Sequence, residues 1–321
     1  MKTPACGIKH GLINSYVMIE GINISIIVPV WRGAVKFLPK LLDSVPANDD
    51  IEIIVVDNSK EPIARSDINS QRSFSLLYVT PERHAGGSRN EGIKAAQGKW
   101  IIFADADDYF TPDAFDIFYS HIDSDSDIIF TKPEGIYEDT GERSDRADQY
   151  IKLVHGFCTG EVSEEDLRLG FGTPWCKMIR RDLVVREKLR FDEIRASNDI
   201  YFSLTSGYYA NKIEADDRTT YIVTVNRGSL TQHRDYEVIR ARLEGKLHCN
   251  KFLKAHNLGY RQRSVMFALA EARNFGFSAF LRMAWMIIRA GQNPFVGWRN
   301  WMKTARVTEI KDKVDNKYIV R

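Results

Sequence analysis

The run Trp100-Ile-Ile-Phe-Ala, which stops abruptly at Asp105-Ala-Asp107-Asp108, constrains this chain more than any other stretch. It is short, bounded by polar residues and apolar without alternation, which is how a strand reads when both of its faces are covered. Two earlier runs share that character, Ile24-Ser-Ile-Ile-Val-Pro29-Val30 and Ile51-Glu-Ile-Ile-Val-Val-Asp57, and a helical pattern near 34–42 separates them. Strand, helix and strand in that order imply a right-handed parallel crossover. A weaker strand at 76–79, helices at 88–97 and 112–121, and a strand at 127–131 continue the alternation. The predicted class is therefore α/β, a Rossmann-like, mostly parallel sheet flanked by helices.

Residues 134–170 lose this pattern and predict loops and short helices over one face. It returns at 173–185, at 198–210 and in a strand at 220–225. Beyond Asp235 the periodicity is helical throughout, with helices expected at 236–256, 261–275, 279–290 and near 298–308. Three regions follow: an N-terminal extension at 1–22, an α/β domain at 23–232, and a basic helical C-terminal region at 233–321.

The formal net charge of +2 hides a marked asymmetry. Residues 240–321 hold about 17 Lys and Arg against about 5 Asp and Glu, so this region implies an anionic surface or partner. Aromatics are interleaved with its cations: Phe280, Arg282, Trp285, Arg289, Trp298, Arg299, Trp301 and Lys303. Such a pattern suits helices lying on an anionic membrane, and it equally suits aromatics packed on the catalytic domain. Nothing resembles a motif for binding nucleic acid. Cys6, Cys158, Cys176 and Cys249 have neither zinc-site nor disulfide-framework spacing, which predicts reduced thiols and a cytoplasmic protein. No signal-peptide core is read, because Lys9, His10, Asn14 and Glu20 interrupt any apolar run at the N-terminus, and no membrane span is read, because Arg282 and Arg289 break the most apolar late stretch.

The predicted strand ends converge on one edge of the sheet, where open α/β sheets bind ligands. Pro29 and Val30 offer a rigid apolar surface for a flat base, and Asp57 offers a carboxylate to a base or ribose. The Gly86-Gly87-Ser88-Arg89 turn opens a helix, so its amides and guanidinium favour a diphosphate. Asp105 and Asp107, two apart on an extended segment, suit Mn²⁺ or Mg²⁺ carried by that diphosphate. Trp175 could stack on a sugar and Lys177 could bind hydroxyls or phosphate, although a buried Trp in the core explains Trp175 equally well. His233 could join as a metal or diphosphate ligand when a loop closes.

With these residues in that order, residues 24–118 resemble the nucleotide-sugar-binding half of inverting glycosyltransferases of family 2, with the GT-A fold. Trp175-Cys-Lys177-Met-Ile-Arg180-Arg181 resembles a Trp-x-Lys segment of bacterial members. Asn198-Asp199-Ile-Tyr201-Phe202 resembles the acidic pair that supplies the base, and Arg227-Gly228-Ser229-Leu-Thr231 resembles a segment near the end of the catalytic domain. The resemblance implies that Asp57 contacts the base, Arg89 the diphosphate region, Asp105 the ribose or sugar, and Asp107 the metal, with Asp199 as general base. It implies a metal-dependent, inverting transfer from a nucleotide diphosphate, of the UDP type, to a glycan or lipid-linked oligosaccharide acceptor in bacterial surface polysaccharide synthesis. Peripheral membrane contact through the C-terminal helices would fit such an acceptor.

Two departures from the pattern stand out. Trp31-Arg32 follows Pro-Val where the family usually has Tyr-Asn, and a single Asp57 followed by Asn58 stands where it usually has two acids, which bears on base or donor preference; Asn198 replaces the first acid of the later pair, a lost charge that could alter acceptor contacts or the basicity of Asp199. Asp199 could instead serve as a helix cap. Two other functions use a similar pocket: a nucleotidyltransferase that makes the activated sugar, and a non-catalytic module that binds sugar nucleotides or glycans. The first would place its Gly-rich turn directly after the first strand, and the second would have no need of Asp199.

Overall fold

Strand β1 (Ile24–Val30) is buried along its whole length and is flanked by β2 (Ile51–Asp57) and β4 (Trp100–Phe103), also apolar and largely buried. The three are parallel, with Ile24 opposite Ile51 on one side and Trp100 on the other. Burial on both faces is why these runs read as continuous apolar stretches. The computed structural model describes residues 21–225, 235–293 and 295.

Among the described residues eight strands form one sheet in the order β3-β2-β1-β4-β7-β6-β8-β5. Its remaining strands are β3 (Ser75–Tyr78), β5 (Tyr109–Phe110), β6 (Ile128–Tyr137), β7 (Lys177–Arg180) and β8 (Ile213–Val225). The β1–β4 half is parallel, but β7 runs antiparallel to both β4 and β6, and β5 antiparallel to β8, so the sheet is mixed. The order places β4 and β5 far apart although few residues separate them in sequence. The acidic segment between them must therefore carry the chain from β4 to the second half of β8, where β5 pairs with Tyr221 and Ile222.

Helices α1 (Leu38–Asp43), α2 (His84–Ala95), α3 (Ala114–Ser120), α4 (Asp148–Thr159), α5 (Glu164–Gly170), α6 (Arg181–Arg186) and α7 (Ile200–Tyr209) are interspersed with these strands. α2 lies so close to β1 that a side chain at Gly92 would sit 2.4 Å from Ile27 Cγ2. Helices α8 (Tyr236–Ala255), α9 (Met266–Ala272) and α10 (Phe277–Arg289) build a separate apolar cluster from residues such as Leu243, Leu269, Ala272, Met283 and Ile287. A smaller cluster of Leu204, Cys249, Phe252 and Leu253 joins α7 to α8. No helix of the described residues is long and apolar enough to cross a membrane.

Several expected boundaries move. β8 begins seven residues before the strand expected at 220–225, because its first half, with Glu214, Asp216, Asp217 and Arg218, pairs with β6 while its charges meet His121, Lys132 and His155. β6 likewise runs on to Tyr137, and α4 and α5 fill the stretch that read as loops and short helices. The helix expected from residue 261 starts only at Met266. The domain boundary expected at 232–233, the Arg227–Thr231 segment, the helix near 298–308 and nearly all of the extension at 1–22 lie outside the described residues.

Candidate active site

The acidic segment is a turn, not the extended continuation the sequence suggested. β4 stops at Phe103, and the Asp108 amide donates to the Asp105 carbonyl at 3.1 Å, since the chain must bend to reach β8. Asp105 and Asp107 are half-buried and Asp108 is buried. The turn is held from β8: the Asp105 amide donates to Tyr221 Oη at 2.8 Å, the Thr224 amide donates to Asp108 Oδ1 at 2.8 Å, and the Thr224 hydroxyl donates to the Asp107 carbonyl. Burial and the neighbouring charges of Asp107 and Asp105 push the Asp108 carboxyl well above the usual carboxylate range. Asp108 is thus a buried strut, and Asp105 and Asp107 are the acids of the turn that stay partly exposed.

Arg89 joins this turn to the far side of the site. Its guanidinium donates to Asp105 Oδ1 at 2.5 Å and to Asn198 Oδ1 at 2.9 Å, while Nε is buried without a hydrogen-bond partner among the described residues. Asn90 clamps the loop between α6 and α7, to which Asn198 belongs, with its side chain accepting from the Phe191 amide at 2.8 Å and donating to the Phe191 carbonyl at 3.0 Å. The paired glycines explain the close approach. A side chain at Gly86 would lie 1.9 Å from the Asp192 carbonyl oxygen. Gly86 and Gly87 therefore do not make the tight turn expected from sequence; they fall inside the first turn of α2, which starts at His84. On its other side the loop leans on α8, where His248 Nδ1 lies 2.9 Å from Asp192 Oδ1.

Asp199 ends this loop at the N-cap position of α7, yet its side chain caps nothing. It is half-buried, and desolvation raises its carboxyl above the ordinary value, opposed by the charge of Arg89. A carboxylate that is not spent on its helix and is raised in basicity is suited to taking a proton.

The remaining predicted residues lie as follows. Pro29 and Val30 pair with Val56 and Asp57 at the ends of β1 and β2. Asp57 is buried, and both of its oxygens are engaged: Oδ1 accepts from the Ser59 amide at 2.8 Å and from its hydroxyl, and Oδ2 accepts from the Ile63 amide at 2.7 Å. Ser59 Oγ in turn accepts from the Arg32 amide at 2.7 Å, which knits the two strand ends together. Trp175 is buried among Tyr150 and Phe171 and stacks on Tyr221 with ring centroids 6.0 Å apart, so it backs the acidic turn from the core. Lys177 is also buried. Its ammonium donates to the Phe171 carbonyl at 2.8 Å between the Phe130 and Phe171 rings, and burial lowers its pKa to about 7. His233 lies outside the described residues.

Among the described residues no group of three or more His, Cys, Asp and Glu stands ready to hold a metal ion. Asp105 and Asp107 nonetheless offer the hard oxygens that Mn²⁺ or Mg²⁺ prefers, and such an ion takes only one or two protein carboxylates when a diphosphate and water complete its shell. The donor set fits that role. Two cavities of about 420 and 410 Å³, one lined by residues such as Leu153, Leu204 and Arg263 and the other by residues such as Arg83, Asn90 and Val184, include none of Asp57, Asp105 and Asp107 in their linings.

Sequence reasoning did not select Tyr221, Thr224 or Arg263. The first two act from β8, 116 residues beyond their partners. Arg263, whose backbone is held on both sides by the Asn250 side chain, comes from the connection between α8 and α9 and exerts a charge on Asp199 that favours the ionised form.

A family model described as Glycosyl transferase family 2 matches residues 25–186, half of the chain. The uncharacterized glycosyltransferase EpsJ of Bacillus subtilis is 29% identical over 222 residues, covering 65% of this chain and 63% of that protein. The chain spans between about a third and two thirds of the length of the curated Bacillus relatives it matches. Among solved structures, Staphylococcus aureus TarS 1–349 in complex with UDP-GlcNAc aligns with a TM-score of 0.53 at 22% identity, covering 72% of this chain and 70% of that one. The mannosyltransferase PcManGT of Pyrobaculum calidifontis, in complex with GDP-Man and Mn²⁺, aligns with a TM-score of 0.51 at 16% identity, covering 91% and 88%. Both show the fold.

Proposed function

Because the chain belongs to glycosyl transferase family 2, we propose that it moves a sugar from a nucleoside diphosphate donor, of the UDP type, to a hydroxyl of a glycan acceptor, with inversion at the anomeric carbon. The observation that carries this reading is the Arg89 bridge, which ties the acidic turn at Asp105 to the residue preceding Asp199.

The donor lies along the ends of β1, β2 and β4. Pro29 and Val30 flank the base, Asp57 shapes the base pocket by fixing the Ser59–Ile63 turn and uses its remaining acceptor capacity on the base, and Asp105 faces the ribose or sugar. Asp107, with Asp105 beside it, would hold a divalent cation against the diphosphate, and His233 would add to that shell. When bound, the cation neutralises charge developing on the departing diphosphate. Asp199 accepts the proton of the acceptor hydroxyl as that oxygen forms its bond to the anomeric carbon and the bond to the diphosphate oxygen breaks. Arg89 is a positioning residue, holding Asp105 and Asn198 in one frame. Trp175 and Lys177 shape the wall behind the sugar from within the core.

The donor named for TarS supports UDP, and the cation named for the mannosyltransferase supports Mn²⁺. The acceptor is a growing bacterial surface polysaccharide on a lipid carrier, reached from the cytoplasmic face of the membrane. A nucleotidyltransferase is disfavoured, because the segment after β1 is a short turn whose Arg32 guanidinium is spent on the Glu61 and Pro62 carbonyls.

The test is incubation with a panel of UDP-, GDP- and TDP-sugars and Mn²⁺, followed for release of the nucleoside diphosphate. Slow donor hydrolysis with one sugar nucleotide, abolished in Asp107→Asn, is the expected result. Donor binding without turnover in any condition would mean a binding module instead.

A further inference from the structure

Helix α10 carries two apolar faces where its place in the fold needs one. Ala279, Met283 and Ile287 are buried against α8 and α9. Phe277, Leu281, Trp285 and Ile288 point away from the protein and are 75%, 50%, 62% and 64% exposed. At 100° per residue these four span an arc of about 80°, and the exposed Arg289 and Arg282 follow within about 60° more. Phe275 and Phe295 extend the exposed apolar surface at the two ends of the helix. A contiguous apolar strip of this kind on a water-soluble fold marks an interaction site.

Charge selects the partner. From Ala272 to Asn293 the chain carries Arg273, Arg282 and Arg289 and no acidic residue. A second copy docked on this strip about a two-fold axis would bring arginine rows together with no carboxylate between them. An anionic lipid surface meets both halves of the face, since acyl chains receive the Phe, Leu, Trp and Ile side chains and headgroups receive the guanidiniums. We propose that the outer face of α10 is an interfacial membrane anchor that seats the protein on anionic bilayers. This inference rests on the reading of a lipid-borne acceptor, which it sharpens by naming the surface that meets the lipid.

The full chain should co-sediment with vesicles of phosphatidylcholine and phosphatidylglycerol at least about ten-fold more strongly than with phosphatidylcholine alone, and less so in high salt. Phe277→Ser/Leu281→Ser/Trp285→Ser should lose at least about ten-fold in vesicle affinity. Arg282→Glu/Arg289→Glu should remove the preference for anionic lipid. All of these side chains are exposed, so donor hydrolysis by both variants should match the parent. Three results would overturn the proposal: no binding of the parent to either vesicle, binding unaltered in the triple-serine variant, or a parent dimer in sedimentation that the triple-serine variant converts to monomer. Vesicle binding by a protein that turns over no sugar nucleotide would defeat the glycosyltransfer reading and leave the anchor standing.

Discussion

Two aspartates occupy the same position on successive helices and are used in opposite ways. Asp235, at the N-cap of α8, accepts from the Val238 amide at 2.9 Å and pairs with Arg195, so its carboxylate is spent on holding the helix start. Asp199, at the N-cap of α7, makes no cap bond, is half-buried and is raised in pKa by desolvation. A helix gains about 1 kcal/mol from a capped N-terminus, and α7 forgoes that gain. The difference separates a carboxylate spent on its helix from one that is not, and the second is the one proposed as the base.

The largest expected effect breaks the comparison at Asp199. Asp199→Asn keeps size and shape but cannot take a proton, so kcat for sugar transfer should fall by about 10²- to 10⁴-fold, while donor affinity by calorimetry stays within about two-fold. A next, smaller effect comes from Arg89→Met, which strands Asp105 and Asn198. We expect kcat/KM to fall by about 10- to 100-fold through misplacement of the turn. The sign of its pH effect follows from charge: Arg89 favours ionised Asp199, so its removal raises an already raised pKa further and moves the acid limb of the rate profile to higher pH. The smallest effect sharpens the other side. Asp235→Ala should cost about 1 kcal/mol, seen as a Tm lower by roughly 2 °C, with transfer rates unchanged. Its ion pair with Arg195 is too exposed to add much.

How far these features were legible in the sequence depends on what holds them. β1, β2 and β4 are buried on both faces, so continuous apolar runs announced them. The first half of β8 was hidden because Glu214, Asp216, Asp217 and Arg218 are satisfied by His121, Lys132, His155 and one another, and such pairs are invisible until the fold forms. The glycines at 86 and 87 look like a turn in the sequence, but the space at Gly86 is taken by the Asp192 backbone, more than a hundred residues away. The acidic tip was plain as a motif, whereas its supports Tyr221 and Thr224 come from a strand met only in three dimensions. In the sequence only the family resemblance points to Asp199. Its uncapped geometry supplies the physical reason that the sequence could not.

The most direct test of the account is the pH dependence of kcat/KM for sugar transfer, measured on the parent and on Asp199→Asn with saturating Mn²⁺. The parent should lose activity as pH falls through a single ionisation lying above the ordinary carboxylate range, and the residual activity of the variant should show no such limb. An acid limb that persists unchanged in Asp199→Asn, or a variant that turns over at the parental rate, would contradict it.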